Sequence, residues 1–189
     1  MVEEVVAPPS ARKSTRKGEP SPQPVGQVAD EPIARILTGI PEVDRVLGGG
    51  IVPGGFMLLG GDPGIGKSTL LLQIASRVSD QGAVLYVTAE ESLVQTRLRA
   101  ERLGELSSSL YLLAEGDIHQ IEAAIGQQPW QMVVVDSLQT VFNPEIESAP
   151  GSVAQVRDIA ARLMRIAKQG CPIFLVGHVN KEGSMRPVA

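Results

Sequence analysis

The sequence has little cysteine, few aromatic residues and no long apolar run, and each shortage removes a class of protein. Cys171 is the one cysteine in 189 residues, which excludes an internal disulfide and any zinc site built from several cysteines. It begins an apolar run, so a small core residue is favoured over a reactive thiol. Aromatic residues make up 3% of the chain and the net charge is −4, which gives no general support for nucleic-acid binding.

The apolar runs are as long as strands and fall well short of the ~18 residues that a membrane helix requires. The first eleven residues include Glu3 and Glu4 and lack the apolar core of a signal peptide. We therefore expect a cytoplasmic protein without a membrane partner. Its length corresponds to about one domain.

Residues 1–30 are rich in proline, serine and basic residues and show no hydrophobic periodicity. This composition predicts a disordered linker, followed by one domain over residues 31–189. Four basic residues of the linker could contact nucleic-acid phosphates, although a solvated linker is the simpler interpretation. They are Arg12, Lys13, Arg16 and Lys17.

The most informative segment is a glycine-rich stretch that ends in Lys67 and Ser68. Residues 61–68 match the pattern G-x-x-x-x-G-K-[ST] at every fixed position. In such a loop the backbone N–H groups and the start of the next helix form a cradle for phosphate. The lysine reaches the β- and γ-phosphates, and the serine hydroxyl ligates Mg²⁺.

A chance glycine-rich turn is the alternative interpretation of this segment. An apolar run precedes the motif and a helical pattern follows it, as a phosphate-binding loop requires, so the chance interpretation is disfavoured. We predict a nucleotide and Mg²⁺ site that includes Gly61, Asp62, Pro63, Gly64, Ile65, Gly66, Lys67, Ser68 and Thr69.

From residue 36 onward, segments with strand character alternate with segments of helical periodicity. The predicted strands are residues 55–60, 83–88, 110–114, 132–135 and 172–177, and the predicted helices are 40–47, 69–78, 92–103, 117–125 and 152–169. Thr38 and Asp117 are predicted as helix caps, and Val153 as part of the apolar stripe of the last helix. This alternation predicts an α/β fold whose parallel sheet is flanked by helices, with its sites at the carboxyl ends of the strands.

Three further residues are candidates for the chemistry of the site. Asp136 ends a run of four apolar residues, a pattern typical of the strand that presents an acid to Mg²⁺ beside Ser68, although an acid that simply ends a buried strand is also common. Glu90 follows another strand, where it could orient or deprotonate an attacking water. The alternative for both Glu90 and its neighbour Glu91 is an acid in the first turn of the next helix, stabilised by the helix dipole, and for Glu91 we favour that interpretation. His178 follows the last strand, and a lone histidine there is usually only a satisfied polar residue.

Taken together, these motifs resemble the bacterial RadA (Sms) family of DNA repair and recombination ATPases. The resemblance extends from about residue 36 to residue 183. It is carried by residues 38–39, 44–50, 60–73, 90–92, 98–100, 136–140, 149–157 and 177–183.

The resemblance implies a RecA-type P-loop core that binds ATP and Mg²⁺. Lys67 with Ser68 and Thr69 would bind Mg-ATP, Asp136 would be the Walker B aspartate, and Glu90 the catalytic glutamate. His178 would occupy the place of the sensor at the start of a DNA-binding loop, with Lys181 beside it. The implied activity is DNA-dependent ATP hydrolysis in homologous recombination, including branch migration. The implied partners are single-stranded or branched DNA, a hexameric ring of copies, and recombination proteins such as RecA.

The sequence departs from the family pattern at both ends. It contains neither the four-cysteine zinc module, so that no zinc is expected, nor the Lys-Asn-Arg-Phe-Gly motif and the C-terminal domain resembling the Lon protease. We expect an ATPase core truncated at its C-terminal end, in which ATP binding is better supported than turnover. Two alternatives stay open: a regulatory ATPase of the KaiC type, and a catalytically impaired nucleotide-binding fragment.

Overall fold

A computed structural model describes residues 22–28, 32–104 and 106–178. By proximity of Cα atoms the chain separates into two compact units, residues 1–32 and 33–189. The described part of the first unit contains one 3-10 turn, Val25–Gln27, and its residues are exposed. The four basic residues of the predicted linker, and Lys181, lie outside the described residues, so the disordered linker stays a prediction.

The described part of the second unit is a parallel sheet with helices on both faces. Its strands are β1 (Phe56–Gly61), β2 (Val84–Thr88), β3 (Leu110–Ala114), β4 (Met132–Asp136) and β5 (Ile173–His178). Its helices are α1 (Pro41–Val46), α2 (Lys67–Val78), α3 (Leu93–Leu103), α4 (Ile118–Ile125) and α5 (Val153–Ala167). The strand order is β1-β5-β4-β2-β3, and all four pairings are parallel. The predicted α/β class is confirmed.

The central strands are apolar throughout because both of their faces are covered. In β4 every residue is buried. Val133 and Val135 pack in a core with α4 and α5, whereas Met132 and Val134 pack in a second core with α2 and α3. Successive side chains of a strand point to opposite faces, so a run of valines supplies both cores at once.

Polar side chains define the starts of three helices. Ser92 and Gln95 form a reciprocal capping box at α3, Asp117 accepts a hydrogen bond from the backbone N–H of His119 at α4, and Ser152 accepts one from Gln155 at α5. Each side chain satisfies an N–H group that has no partner within its helix. The predicted cap at Asp117 is therefore confirmed.

Two local predictions are wrong. Ile40, not Thr38, occupies the cap position of α1, because the Thr38 hydroxyl is engaged with the backbone of Ile40 while its own N–H donates to Asp44. Val153 is 70% exposed, since it lies in the first turn of α5, beyond the residues of that helix that pack in the core. Among the described residues, none of the helices has the length and apolar character needed to cross a membrane.

Candidate functional site

The site lies where four parallel strands end at the same edge of the sheet. Gly61, the last residue of β1, is paired in register with His178, the last residue of β5. Thr88 at the end of β2 is paired with Asp136 at the end of β4. Because β4 and β5 lie side by side between β1 and β2, residues distant in sequence meet here.

The phosphate-binding loop connects β1 to α2 through glycines that adopt positive φ. Gly64 has φ of 79° and Gly66, which caps α2, has φ of 101°, a region that residues with a Cβ rarely adopt. In the part of the chain that the structure describes, the N–H groups of Gly64, Ile65 and Gly66 donate no hydrogen bond to a protein acceptor. These N–H groups at the start of a twelve-residue helix suit an anion.

Lys67 is folded back over the loop that it belongs to. Its side chain is buried, and Nζ donates to the carbonyl oxygens of Gly61 and Asp62, both at 2.9 Å. Nζ also lies 3.3 Å from Nδ1 of His178. Among the described residues no carboxylate pairs with this ammonium group, so its charge is available to a phosphate.

His178 links Lys67 to Glu90. An ammonium group can only donate, so Nδ1 of His178 accepts, and a neutral ring then carries its proton on Nε2. Nε2 lies 3.4 Å from Oε1 of Glu90, which also accepts a hydrogen bond from the Ser137 hydroxyl. The structure therefore places the lysine and the glutamate, 23 positions apart in the sequence, on the two sides of one imidazole ring.

Asp136 is almost completely buried, being only 7% exposed. Its Oδ2 accepts a hydrogen bond of 2.7 Å from the hydroxyl of Tyr86, which also lies 3.4 Å from the backbone oxygen of Ser68. Tyr86 thereby connects the end of β4 to the start of α2. Burial, together with the charge of Asp136 and this hydrogen bond, raises the pKa of Tyr86 well above its ordinary value, so the phenol stays protonated and remains a donor.

The residues present suit a nucleotide with magnesium. The open N–H groups of the loop and the Lys67 ammonium group match the charge of a phosphate, while the Ser68 hydroxyl and the Asp136 carboxylate are oxygen ligands of the kind that Mg²⁺ takes alongside water and phosphate. Within the described ranges, no group of three or more His, Cys, Asp or Glu side chains could hold a metal ion by itself.

Glu91 does not lie in the first turn of a helix, contrary to what the sequence suggested. It lies outside α3, one residue before the Ser92 cap, and its carboxylate pairs with Arg99. Arg97 pairs with Glu101 on the same helix. Two of the three arginines on this helix therefore already have acidic partners.

Sequence reasoning missed three residues that complete the site: Tyr86, Ser137 and Gln139. Gln139 donates to the backbone oxygen of His178 at 3.1 Å and is buried. Tyr86 looked like an ordinary strand residue, and only the neighbouring strand shows its partner. Ser137 and Gln139 lie one and three positions after Asp136, and two polar residues just after a buried strand were the available signal.

Comparison with known proteins gives a consistent family. The family described as AAA domain matches residues 21–184. The chain is similar to the DNA repair protein RadA of Halalkalibacterium halodurans, with 56% identity over 170 residues, which cover 89% of this chain and 37% of the relative. It is 50% identical to the DNA repair protein RadA of Bacillus subtilis over 194 residues, covering 98% of this chain and 42% of the relative. The RadA protein of Streptococcus pneumoniae is 46% identical over 183 residues, covering 96% and 44%.

The chain thus spans about two fifths of the length of the curated relatives it matches. Among solved structures, the ATPase domain of another protein superposes on this chain with a TM-score of 0.64 at 17% sequence identity. The match covers 82% of this chain and 67% of that one. At this identity the likeness concerns the fold alone, and it agrees with a parallel sheet flanked by helices.

Proposed function

Because the chain belongs to the RadA family of DNA repair proteins, we propose that it is the ATP-binding and ATP-hydrolysing core of a DNA repair ATPase. The observation that carries the proposal is the arrangement around Lys67. A phosphate-binding loop, a buried acid and a second acid are brought to one edge of the sheet, and His178 joins the lysine to the second acid. These are the parts that phosphoryl transfer to water requires.

In the proposed mechanism Gly64, Ile65 and Gly66 bind phosphate oxygens through their N–H groups. Lys67 exchanges the carbonyl oxygens of Gly61 and Asp62 for phosphate oxygens, as its charge favours. Ser68 and Asp136 hold the magnesium ion, which when bound neutralises charge on the phosphates. Thr69, in the first turn of α2, completes the predicted nucleotide-binding set together with Asp62 and Pro63 of the loop.

Glu90 orients and deprotonates the attacking water in this proposal. Its carboxylate is held by Ser137 and lies within reach of His178, so its position depends on the same ring that contacts Lys67. When Lys67 turns to phosphate it leaves Nδ1 of His178, and the ring becomes able to report the occupied site to the segment that follows β5. His178 is in this sense the sensor residue.

The first test is thermal unfolding of the chain with and without Mg-ATP, in parallel with Lys67→Ala. A ligand at ~100 times its dissociation constant stabilises the native state by about 2.7 kcal/mol, which corresponds to a rise of about 5–11 °C for a domain of this size. Lys168→Ala is the matched control, because Lys168 is exposed after the end of α5, and it should keep the shift. A shift that survives Lys67→Ala, or no shift in the unsubstituted chain, contradicts the proposal.

The second test concerns turnover. Glu90→Gln should keep the thermal shift but reduce steady-state phosphate release by about 10²–10⁴-fold, the range for the loss of a general base. Glu91→Gln serves as the control, since Glu91 pairs with Arg99 instead of facing His178. Equal losses in the two variants would show that Glu90 has no special part in hydrolysis.

The wider role follows the relatives, which are DNA repair proteins. We further propose that single-stranded or branched DNA stimulates ATP hydrolysis and that copies of the protein form a hexameric ring. We also propose that it acts in the cytoplasm together with recombination proteins such as RecA. The test compares phosphate release with and without single-stranded and branched DNA, over a range of salt concentrations because phosphate contacts weaken with salt. A rate that DNA does not change would favour a regulatory ATPase of the KaiC type, and no turnover at all would favour an impaired nucleotide-binding fragment.

A further inference from the structure

The buried hydroxyl of Tyr86 stands between the two residues proposed to hold magnesium. The side chain is only 1% exposed, and its ring packs in the core beneath α2. Phenylalanine would fill that core equally well without a polar atom to satisfy. The hydroxyl therefore has a role other than packing. Its two neighbours, Oδ2 of Asp136 and the backbone oxygen of Ser68, indicate that this role concerns the magnesium site.

We propose that Tyr86 is a positioning residue for the magnesium site, whose hydroxyl fixes the orientation of the Asp136 carboxylate. Oδ2 is held by Tyr86, which leaves Oδ1 for the metal ion or one of its waters. In the described part of the chain, Tyr86 is the only side chain that donates a hydrogen bond to this carboxylate. The inference rests on the proposed function, because it assigns a partner to a residue of that same site.

The sheet explains why a tyrosine is needed at this position. Tyr86 is paired in register with Val134, two residues before Asp136, so the side chain that reaches the carboxylate has to span two residues along the strand. A phenol has that reach and stays rigid, whereas serine or threonine at the same place would be too short. Its distance to Oδ2 is 2.7 Å against 3.4 Å to the Ser68 oxygen, so its single proton belongs to Asp136.

The test measures how ATP binding depends on magnesium in the 189-residue chain. ATP binding is followed by calorimetry at stepped Mg²⁺ concentrations and again in EDTA. Loss of a hydrogen-bond partner behind a ligand typically costs about 10–100-fold in metal affinity, so Tyr86→Phe should raise the half-saturating Mg²⁺ concentration at least about 10-fold. Binding in EDTA should stay within about two-fold. Tyr111→Phe, which removes the same hydroxyl from an exposed tyrosine, should change neither quantity.

A double-variant comparison shows whether Tyr86 acts through Asp136. In an Asp136→Asn background, Tyr86→Phe should have no further effect on the Mg²⁺ requirement, because the group that it orients has lost its charge. An unchanged half-saturating Mg²⁺ concentration in Tyr86→Phe, or equal weakening with Mg²⁺ and in EDTA, overturns the inference while the proposed function stands. Magnesium-independent binding in the unsubstituted chain overturns both.

A second measurement keeps the inference testable if Tyr86→Phe does not fold. The chain contains two tyrosines, so Tyr111→Phe leaves Tyr86 as the sole tyrosine. Its near-ultraviolet difference spectrum is then recorded as Mg²⁺ is added at saturating ATP. Metal binding should weaken the hydrogen bond that the phenol donates to Asp136 and shift the absorption band. A spectrum that does not change with Mg²⁺ overturns the inference.

Discussion

Gln155 is predicted to hold the long loop between β4 and α5 in place. Its side chain is 1% exposed, and Oε1 accepts a hydrogen bond from the N–H of Asn143 at 2.7 Å. Nε2 shares its two protons among the backbone oxygens of Asn143, Ile146 and Ser148, at 3.0–3.2 Å. One side chain therefore satisfies backbone groups over six residues of a segment without regular structure.

The Gln155→Ala substitution removes the only hydrogen-bond acceptor of the Asn143 N–H among the described residues, whereas the carbonyl oxygens of Asn143 and Ile146 keep hydrogen bonds from the N–H groups of Ile146 and Ser148. Asn143 is 2% exposed, so its N–H cannot readily turn to water, and a buried unsatisfied group costs about 1–3 kcal/mol. The carbonyls of Ile146 and Ser148 are less buried and can regain water. The expected loss is about 1–3 kcal/mol in the free energy of unfolding, or roughly 4–8 °C for a 2 kcal/mol change.

The assay is urea denaturation together with thermal unfolding, without nucleotide. Gln127→Ala is the matched control, because Gln127 is exposed just after α4, and it should stay within about 0.5 kcal/mol of the unsubstituted chain. Amide hydrogen exchange should also speed up at Asn143 in Gln155→Ala and stay unchanged in the control. A loss below about 1 kcal/mol in Gln155→Ala would refute the reasoning, because water would then have replaced the side chain.

Three further predictions concern single groups. Asp117→Ala should lower the free energy of unfolding by about 1 kcal/mol, because α4 loses its cap. Asp117→Asn should retain most of that stability, because asparagine also caps helices. Equal losses of stability for the two variants in urea denaturation would contradict this. The hydrogen bond from Asn143, and after it the one from Arg162, lowers the pKa of Asp158. The ionised carboxylate therefore stabilises the folded chain at pH values above the unfolded-state pKa of about 3.9. This stabilisation is lost as the pH falls through the lower pKa of the folded state. The stability difference between the unsubstituted chain and Asp158→Asn should accordingly shrink below about pH 4, and a difference constant from pH 7 to pH 3 would count against it. Burial raises the pKa of Cys171 to about 11. At pH 8 iodoacetamide should therefore react on the order of 100-fold more slowly with the folded chain than with the urea-unfolded chain. Similar reaction rates for the folded and the unfolded chain would mean that the folded thiol is reactive.

Several features of this protein follow from local sequence alone. The glycines and Lys67 identify a phosphate-binding loop because a run of fixed residue types is needed to bend the backbone and present its N–H groups. The apolar run before Asp136 predicts a central strand because covered strands need side chains for both faces. Asp117 predicts the start of α4 because its side chain satisfies a neighbouring N–H group. All of these depend on residues a few positions apart.

Local patterns misled where a side chain had a competing partner. Thr38 has the chemistry of a cap, but its hydroxyl and N–H are engaged with Ile40 and Asp44, so α1 begins without it. Glu91 has the chemistry of a first-turn helix acid, but it lies before the Ser92 cap of α3, and its carboxylate pairs with Arg99. Each error arises from a contact between residues that periodicity does not connect.

The order of the strands was decided by the tertiary structure. Periodicity tells which residues of a strand are buried, but not which strand lies beside which, since any parallel neighbour satisfies the same backbone hydrogen bonds. With β4 and β5 inserted between β1 and β2, His178 meets Lys67 and Glu90, and Tyr86 meets Asp136. The sequence by itself determined the chemical groups of the site, whereas the packing of the helices on both faces of the sheet decided which of those groups touch.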